Sequence, residues 1–326
     1  MYQVYLCYAG AVSFSLVFAG SPAIAVPALR AVVEAGFAVA AVLTNPDSAK
    51  GRSGVVVPTP VARCAEGLSL PVIRRARIDG EVADRVRLLS PSLLVTFAYG
   101  AIFPAEFLAL FPAGGINCHP SLLPKYRGAA PIQEAILRRD TVTGISVQYL
   151  AERMDEGDVI LREEIPLDGR ETAESLGVLA AERGAALLVK AISLIERGAA
   201  TRIRQSGAVS YCGKIGKEAG WIDWSRSAVE IDAQIRAFTP WPLCRTHASE
   251  KELLVLEARA AETVHPNLLA AHSPGTVIGV DKKEGILVRT GAGVLMVTRL
   301  QWQSKKALDF RDFLNGAKEF IGTILK

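Results

Sequence analysis

The feature that most restricts the fold is a strand–turn–helix–strand pattern near the start of the sequence. Residues 14–19 form an apolar run that leads into the turn at residues 20–22, and apolar residues then recur at helical spacing as far as Gly36. Residues 37–44 form the next apolar, β-branched run. Within the turn, Ser21 is the predicted N-cap of the helix. Because strands that flank a helix in this way usually pair in parallel, the pattern predicts an α/β fold with a doubly wound, mostly parallel sheet.

The later segments complete this sheet and add a second domain. Apolar runs predict further strands at residues 92–98, 115–118, 145–150 and 159–165, followed by a long helix over Ala173–Glu196. From Trp221 onward the pattern changes to one short helix and then short runs separated by glycine turns. These runs are residues 253–258, 275–280, 285–289 and 294–299. Several short strands with glycine turns predict a small β-barrel.

Residues 1–12 are predicted to be an N-terminal extension. A secretory signal is the alternative, because no charged residue occurs before Arg30 and residues 23–25 resemble a signal-peptidase site. The positively charged start of such signals is missing, however. Gly10 and Gly20 also interrupt any span approaching the roughly 20 apolar residues that a membrane helix needs. We therefore expect no membrane segment.

Charge and cysteine content restrict the class of protein only mildly. The 326 residues carry a formal net charge of +4, which is too small to identify a nucleic-acid-binding protein by itself. The five cysteines are odd in number and include no Cys-x-x-Cys pair. This pattern favours a reducing compartment over a disulfide framework or a zinc site, so we expect a cytoplasmic protein without a bound metal.

The glycine turn at residues 20–22 does not predict a dinucleotide site. It contains only the first glycine of the Gly-x-Gly-x-x-Gly fingerprint, so the close approach of a pyrophosphate is not supported. The turn can still line a ligand pocket, because doubly wound sheets bind ligands at the carboxyl ends of their strands.

Asn117, His119 and Asp155 are the candidate catalytic residues. Asn117 and His119 are two positions apart at a predicted strand end, so their side chains point to the same face. Asp155 lies in a turn-like Asp-Glu-Gly-Asp segment that a fold could bring against His119. A carboxylate fixes the charge and tautomer of an imidazole, and an amide N–H with an imidazolium N–H can hold an oxyanion. No serine or cysteine nucleophile is evident, which points to direct transfer of an acyl-type group.

Each of these residues also has a structural interpretation. His119 could be a buried structural histidine, and Asn117 could bond only to the backbone at a strand end. Asp155 and Asp158 could both merely stabilise a turn.

Several short motifs follow one another in a fixed order around these residues. They are Asn-x-His at 117–119, Ser-Leu-Leu-Pro at 121–124, Arg-Gly-Ala-Ala-Pro-Ile at 127–132, Asp-x-Gly-Asp at 155–158, and blocks at 17–22, 45–52, 97–100, 214–218, 221–224 and 235–242. In this order they resemble the folate-dependent formyltransferases. The likeness extends from about residue 16 to the C-terminus, and it is specific because several unrelated spacings agree in sequence.

The resemblance implies a domain arrangement and a reaction. It implies a catalytic domain at residues 13–200, a linker at 201–220, and a tRNA-binding domain of the oligonucleotide-binding (OB) type at 221–326. The donor would be 10-formyltetrahydrofolate, and the acceptor would be the α-amine of methionine esterified to initiator tRNA, which serves translation initiation. Asp155, at the first position of Asp-x-Gly-Asp, would keep His119 charged and relay protons. We expect a monomer.

The resemblance also assigns residues to the folate. The loop that would contact it consists of Ser121, Leu122, Leu123 and Pro124. Phe97 and Tyr99 are expected to end a buried strand beside the pterin, although core packing explains these two residues nearly as well.

Three residues are assigned to tRNA. Arg52 belongs to a glycine-bracketed loop that would insert toward the acceptor end, where a guanidinium can bind phosphate or stack on a base. Fewer basic residues follow it here than is usual for the family. Lys305 and Lys306 are interpreted either as ordinary solubilising charges or as part of a basic face for tRNA.

Two alternatives for the function stay open. A formyltransferase of the same fold could act on another amine, such as an amino-sugar nucleotide, and a related enzyme could hydrolyse formyltetrahydrofolate. The domain that begins at Trp221 argues against a minimal enzyme that acts on glycinamide ribonucleotide. An RNA-binding protein without activity is disfavoured by the intact set of Asn117, His119 and Asp155.

Overall fold

The structure, a computed structural model, describes residues 14–50, 54–261, 271–317 and 319–326. The predicted extension at 1–12 and the predicted tRNA contact Arg52 lie outside the described residues. The chain forms two compact units. One contains the described residues up to Arg127 together with Gly144–Glu164 and Val178–Val209, and the other contains Gly128–Thr143, Ile165–Gly177 and the described residues from Ser210 on. The predicted domain boundaries at residues 200 and 221 stay a prediction.

The strands and helices are numbered along the described chain. The strands are β1 (Ser15–Gly20), β2 (Ala38–Thr44), β3 (Ser48–Lys50), β4 (Val55–Val57), β5 (Val72–Arg74), β6 (Leu93–Phe97), β7 (Gly115–His119), β8 (Arg127–Gly128), β9 (Val142–Tyr149), β10 (Val159–Pro166), β11 (Tyr211–Cys212), β12 (Cys244–Ala248), β13 (Lys251–Ala260), β14 (Val277–Asp281), β15 (Gly285–Arg289), β16 (Val294–Trp302) and β17 (Leu308–Asp309). The helices are α1 (Val26–Glu34), α2 (Pro60–Gly67), α3 (Gly80–Leu89), α4 (Ala105–Leu108), α5 (Pro131–Leu137), α6 (Ala173–Glu196), α7 (Ala228–Ala237) and α8 (Phe310–Asn315).

The predicted doubly wound sheet is confirmed. It has seven strands in the order β10-β9-β7-β6-β1-β2-β5. The pairs β1–β2, β1–β6, β2–β5 and β6–β7 are parallel, and β7–β9 is antiparallel. The central strand β6 is buried along its whole length, as expected for a parallel strand covered on both faces. The carboxyl ends of these parallel strands meet at one edge of the sheet, where ligands usually bind.

The predicted capping role of Ser21 is wrong. Pro22 precedes a short 3-10 turn at Ala23–Ala25 without a side-chain cap. The Ser21 hydroxyl oxygen instead accepts from the backbone N–H of Asn45 at 3.0 Å and from the Thr44 hydroxyl at 3.3 Å. The hydroxyl oxygen of Ser21 therefore bonds to the end of the neighbouring strand β2 and not to the helix that the capping rule predicts.

The predicted C-terminal barrel is confirmed. Its antiparallel sheet has the order β12-β13-β16-β15-β14, with β17 paired to β16. The last residues of the chain join its two edge strands. At β12, the backbone N–H of His247 donates to the Lys326 carbonyl at 2.7 Å, and at β14 the N–H of Val277 donates to the Thr323 carbonyl at 2.9 Å. Because the same terminal segment bonds to both edges, the sheet closes on itself and leaves fewer unpaired backbone groups.

No helix in the described part of the chain has the length and apolar character needed to cross a membrane.

The start of α7 leads to a prediction about acid stability. Glu230 accepts hydrogen bonds from the hydroxyl of Ser227 at 2.6 Å and from its backbone N–H at 3.0 Å, and Arg226 donates to it at 3.2 Å. These contacts, with those of Ser227 the largest, lower the pKa of Glu230 from 4.5 to about 2. A lowered pKa in the folded state stabilises the fold above the unfolded pKa, and this contribution is lost as the pH falls from 4.5 toward about 2.

We therefore expect the Glu230→Gln variant to lose less stability than the wild type over this pH window. Urea unfolding followed by tryptophan fluorescence at pH 6, 4 and 3 measures the difference. Glu250→Gln, at an exposed position, is the control. The same pH dependence in Glu230→Gln and in the wild type would contradict the prediction.

Candidate active site

The structure brings Asn117, His119 and Asp155 together. Asn117 and His119 occupy alternate positions of β7, so both side chains leave the same face of the strand. Asp155 lies in the turn of residues 153–158 that follows β9, which we call the Asp155 turn. The Asn117 amide nitrogen is 3.4 Å from Asp155 Oδ1, and His119 Nδ1 is 3.6 Å from Asp155 Oδ2. Two residues predicted from spacing and one predicted from resemblance thus form one cluster.

The Asp155 carboxylate is held in place from several sides. Its Oδ1 accepts a second amide hydrogen bond, from Gln148 Nε2 at 2.8 Å. The side chain is 10% exposed, and the backbone has φ = 55°. Asp is one of the few residues other than Gly that enter this left-handed region without a large penalty. The turn therefore presents the carboxylate to β7 in a defined orientation.

The amide of Asn117 is oriented by Thr96 on the adjacent strand β6. The Thr96 hydroxyl donates to Asn117 Oδ1 at 2.7 Å. With its oxygen engaged there, the amide of Asn117 directs its NH2 group toward Asp155. An NH2 group so directed is a donor that a developing negative charge could use.

His119 is 4% exposed, and both of its ring nitrogens face protein acceptors. Nε2 lies 2.9 Å from the backbone carbonyl of Tyr126, which can only accept, so Nε2 carries a hydrogen. Nδ1 faces Asp155 Oδ2 and can donate toward it when the ring is protonated. The predicted contact between His119 and an oxyanion requires the Nε2 hydrogen to leave Tyr126.

Two hydrogen bonds to Ser146 on β9 hold the loop Ser121–Pro124 in place. The Ser146 hydroxyl donates to the Ser121 carbonyl at 2.7 Å, and its oxygen accepts from the Leu123 N–H at 3.1 Å. Ser121, Leu123 and Pro124 are buried, and Leu122 is half-buried. The contact of this rigid loop with folate stays a prediction.

Phe97 and Tyr99 are engaged in packing. Phe97 is 1% exposed and Tyr99 is 4% exposed. The Tyr99 hydroxyl donates to the Arg75 carbonyl at 2.7 Å, and its ring stacks on Phe103 at 5.6 Å between centroids. Burial raises the pKa of Tyr99 to about 12. Core packing therefore accounts for both side chains, and their contact with a pterin stays a prediction.

Lys305 and Lys306 lie in the segment between β16 and β17, and both are exposed. This placement is compatible with either interpretation, solubilising charge or tRNA contact.

Sequence reasoning missed several residues that organise this site. They are Thr96, Gln148 and Gln205, together with the carbonyl of Tyr126 and the guanidinium of Arg127. Tyr126 lies next to a recognised motif and Arg127 is the first residue of that motif, but no spacing rule marks the two glutamines. Gln205 falls in the predicted linker, where no signal pointed to the active site.

Comparisons with known proteins identify the family of this chain. Residues 15–192 match the formyl transferase family, and residues 214–318 match the formyl transferase C-terminal domain. The methionyl-tRNA formyltransferase of Treponema denticola is 40% identical over 94% of this chain and 98% of its own length, and that of Treponema pallidum is 43% identical over 92% and 95%. The structure of an N-formyltransferase from Helicobacter canadensis, in complex with folinic acid and dTDP-3-aminofucose, shares the fold with a TM-score of 0.64 at 20% identity, covering 87% of this chain and 98% of that one. The chain therefore belongs to the formyl transferase family, among the methionyl-tRNA formyltransferases.

Proposed function

We propose that the protein transfers the formyl group of 10-formyltetrahydrofolate to the α-amine of methionine on initiator tRNA, giving formylmethionyl-tRNA for translation initiation. The observation that carries the proposal is the cluster of Asn117, His119 and Asp155, in which the carboxylate lies 3.4 Å from the amide nitrogen and 3.6 Å from the imidazole. It occurs in a chain that aligns over almost its whole length with relatives of that name.

The three residues have separate roles in the proposed transfer. The folate donor supplies an electrophilic formyl carbon. The Asn117 NH2 group and a protonated His119 stabilise the negative charge that develops on the formyl oxygen, an effect worth about 3–4 kcal/mol for a well-placed donor. The amine nitrogen forms the new bond to the formyl carbon, and the bond between that carbon and the folate nitrogen breaks. Asp155 keeps His119 charged and relays the proton that the amine loses, through water, to the leaving folate nitrogen.

The contact between His119 and Tyr126 sets a condition on this mechanism. For Nε2 to serve the oxyanion, its hydrogen must exchange the Tyr126 carbonyl for the formyl oxygen. This exchange replaces one acceptor by another that becomes negatively charged, and hydrogen bonds to charged acceptors are the stronger ones. The ring would therefore favour the transition state over the resting arrangement.

The experiment that tests the function compares three acceptor conditions. Purified protein is incubated with 10-formyltetrahydrofolate and methionyl initiator tRNA, methionyl elongator tRNA, or no acceptor. We expect formylmethionine with the initiator tRNA alone. Formate without an acceptor would assign the protein to the hydrolases. If the protein transfers no formyl group to either tRNA but formylates an amino-sugar nucleotide, it belongs with the sugar-modifying relatives.

Lys305 and Lys306 give a prediction about tRNA binding. If both lysines contact phosphates, the double variant Lys305→Ala/Lys306→Ala raises KM for tRNA and leaves kcat and KM for the folate unchanged. The dependence of log KM on log salt concentration should become shallower by about 1 per lysine. Steady-state kinetics at several KCl concentrations measure both effects.

The matched control is the double variant Lys282→Ala/Lys283→Ala in the turn between β14 and β15. These lysines are also exposed, and their removal changes the net charge by the same amount as Lys305→Ala/Lys306→Ala. An equal effect of both double variants would show that net charge, and not the 305–306 segment, governs tRNA binding.

The same proposal places the protein in the cytoplasm as a monomer. Light scattering during size-exclusion chromatography tests the oligomeric state, and a stable dimer would contradict it.

A further inference from the structure

Gln205 lies 50 positions after Asp155 in the chain, yet its side chain reaches the Asp155 turn. Its Nε2 donates to the backbone carbonyl of Asp155 at 2.8 Å and to that of Gly157 at 2.8 Å. The two carbonyls flank Glu156, so a single amide group spans the turn that carries the catalytic carboxylate.

The orientation of the Gln205 amide is set by Arg127. The Arg127 Nη2 and Nε atoms donate to Gln205 Oε1 at 2.7 and 3.2 Å. The guanidinium can only donate, so it holds the amide oxygen and turns the NH2 group toward the two carbonyls. Arg127 is 8% exposed and also donates through Nη1 to Glu156 Oε1 at 2.9 Å, which ties it to the same turn.

A second amide continues this chain of contacts to the carboxylate itself. Gln205 Nε2 lies 3.2 Å from Gln148 Oε1, and Gln148 Nε2 donates to Asp155 Oδ1 at 2.8 Å. Gln148 is 1% exposed, so water cannot readily replace these contacts. Arg127 thus orients the Gln205 amide, and Gln148 lies in contact with both Gln205 and the Asp155 carboxylate.

The Asp155 turn combines a left-handed residue with close packing against β9. Asp155 has φ = 55°, and a Cβ at Gly157 would lie 1.7 Å from the Tyr149 carbonyl oxygen. The hydrogen bonds from Gln205 therefore act on a turn that has little room to move.

We propose that Gln205 is a positioning residue for the formyl transfer, acting through the Asp155 turn and Gln148 and not by contact with substrate. The expected effect on kcat rests on the proposed function. The expected effect on the Asp155 turn does not depend on it. A side chain in the segment that follows the long helix α6 thereby holds the catalytic carboxylate.

Three variants test this role. Gln205→Met keeps the length of the side chain and removes all polar contacts. Gln205→Glu keeps an oxygen for Arg127 and removes the NH2 donors. Ser206→Ala changes the exposed neighbour and is the control. For each variant, kcat and KM for both substrates are measured, together with hydrogen–deuterium exchange of peptides that cover residues 151–158.

We expect both Gln205 variants to lower kcat by about 10- to 100-fold, with KM for the folate changed by no more than about twofold. Exchange in residues 151–158 should become faster in both variants and stay unchanged in Ser206→Ala. A Gln205→Glu variant with wild-type kcat and exchange would overturn the proposal, because the contact with Arg127 alone would then suffice.

The two measurements separate this inference from the proposed function. If the wild type transfers no formyl group, the kinetic comparison fails together with the proposed function, but exchange still decides whether Gln205 holds the turn. Unchanged exchange in both folded Gln205 variants would exclude the positioning role even in an active enzyme. If Gln205→Met does not fold, Gln205→Glu alone decides.

Discussion

The Asp155→Asn variant should fold normally and lose roughly 10³-fold in kcat. Asparagine keeps an oxygen that can accept from Gln148 and has nearly the same shape, so the Asp155 turn should persist. What disappears is the negative charge 3.6 Å from His119 Nδ1, and with it the group that we propose relays the proton of the amine. Thermal unfolding and single-turnover formylation of methionyl initiator tRNA measure the two parts of this expectation.

Asp158→Asn is the matched control, since it makes the same chemical change three residues away. Its backbone carbonyl accepts from the Tyr149 N–H, a contact that the substitution leaves intact. We expect it to keep kcat within a few-fold of the wild type. If Asp158→Asn were the inactive variant and Asp155→Asn the active one, the carboxylate would have been assigned to the wrong position. Asn117→Ala and His119→Ala should likewise fold and lose most turnover.

The Gly157→Ala variant should lose both activity and stability. An added Cβ would lie 1.7 Å from the Tyr149 carbonyl oxygen and 2.8 Å from its carbon, and these are backbone atoms at the end of β9. The turn must therefore move, and its displacement also breaks the hydrogen bond from Gln205 to the Gly157 carbonyl. Overpacking of this kind costs about 1–3 kcal/mol. A displacement of the catalytic carboxylate by about 1 Å lowers kcat by about 10²-fold.

Gly177→Ala in helix α6 is the control for this prediction. No atom lies within 4 Å of a Cβ added there, and alanine favours the helix over glycine. Calorimetry should show a lower Tm for Gly157→Ala and an equal or higher Tm for Gly177→Ala. Normal activity in Gly157→Ala would show that the Asp155 turn tolerates movement and would contradict the prediction.

The fold was predictable where local patterns determine it. The strand–helix–strand pattern of residues 14–44 predicted the parallel sheet, and the short C-terminal runs predicted the barrel. The spacing of Asn117 and His119 also predicted that their side chains share a face, because alternation along a strand is a local property.

Other features depend on contacts that no local pattern encodes. The N-cap rule failed at Ser21 because its hydroxyl oxygen accepts hydrogen bonds from the end of β2, more than 20 residues away. Gln148 and Gln205 lack a sequence signal for the same reason, since a glutamine amide becomes specific only through the partners that the fold supplies. The closure of the barrel by residues 323–326 was hidden as well, because pairing at both edges is a property of the folded sheet.

An isotopically labelled donor shows whether the Asn117–His119–Asp155 cluster carries a formyl transfer to methionyl initiator tRNA. The donor is 10-formyltetrahydrofolate that carries ¹³C in the formyl group. The wild type and Asp155→Asn, each in molar excess over methionyl initiator tRNA, are mixed with both substrates. Mass spectrometry follows the labelled product within one turnover. We expect label in formylmethionine for the wild type and a roughly 10³-fold slower appearance for Asp155→Asn. Label that stays in the donor, appears as formate, or reaches methionine equally fast in both proteins would contradict it.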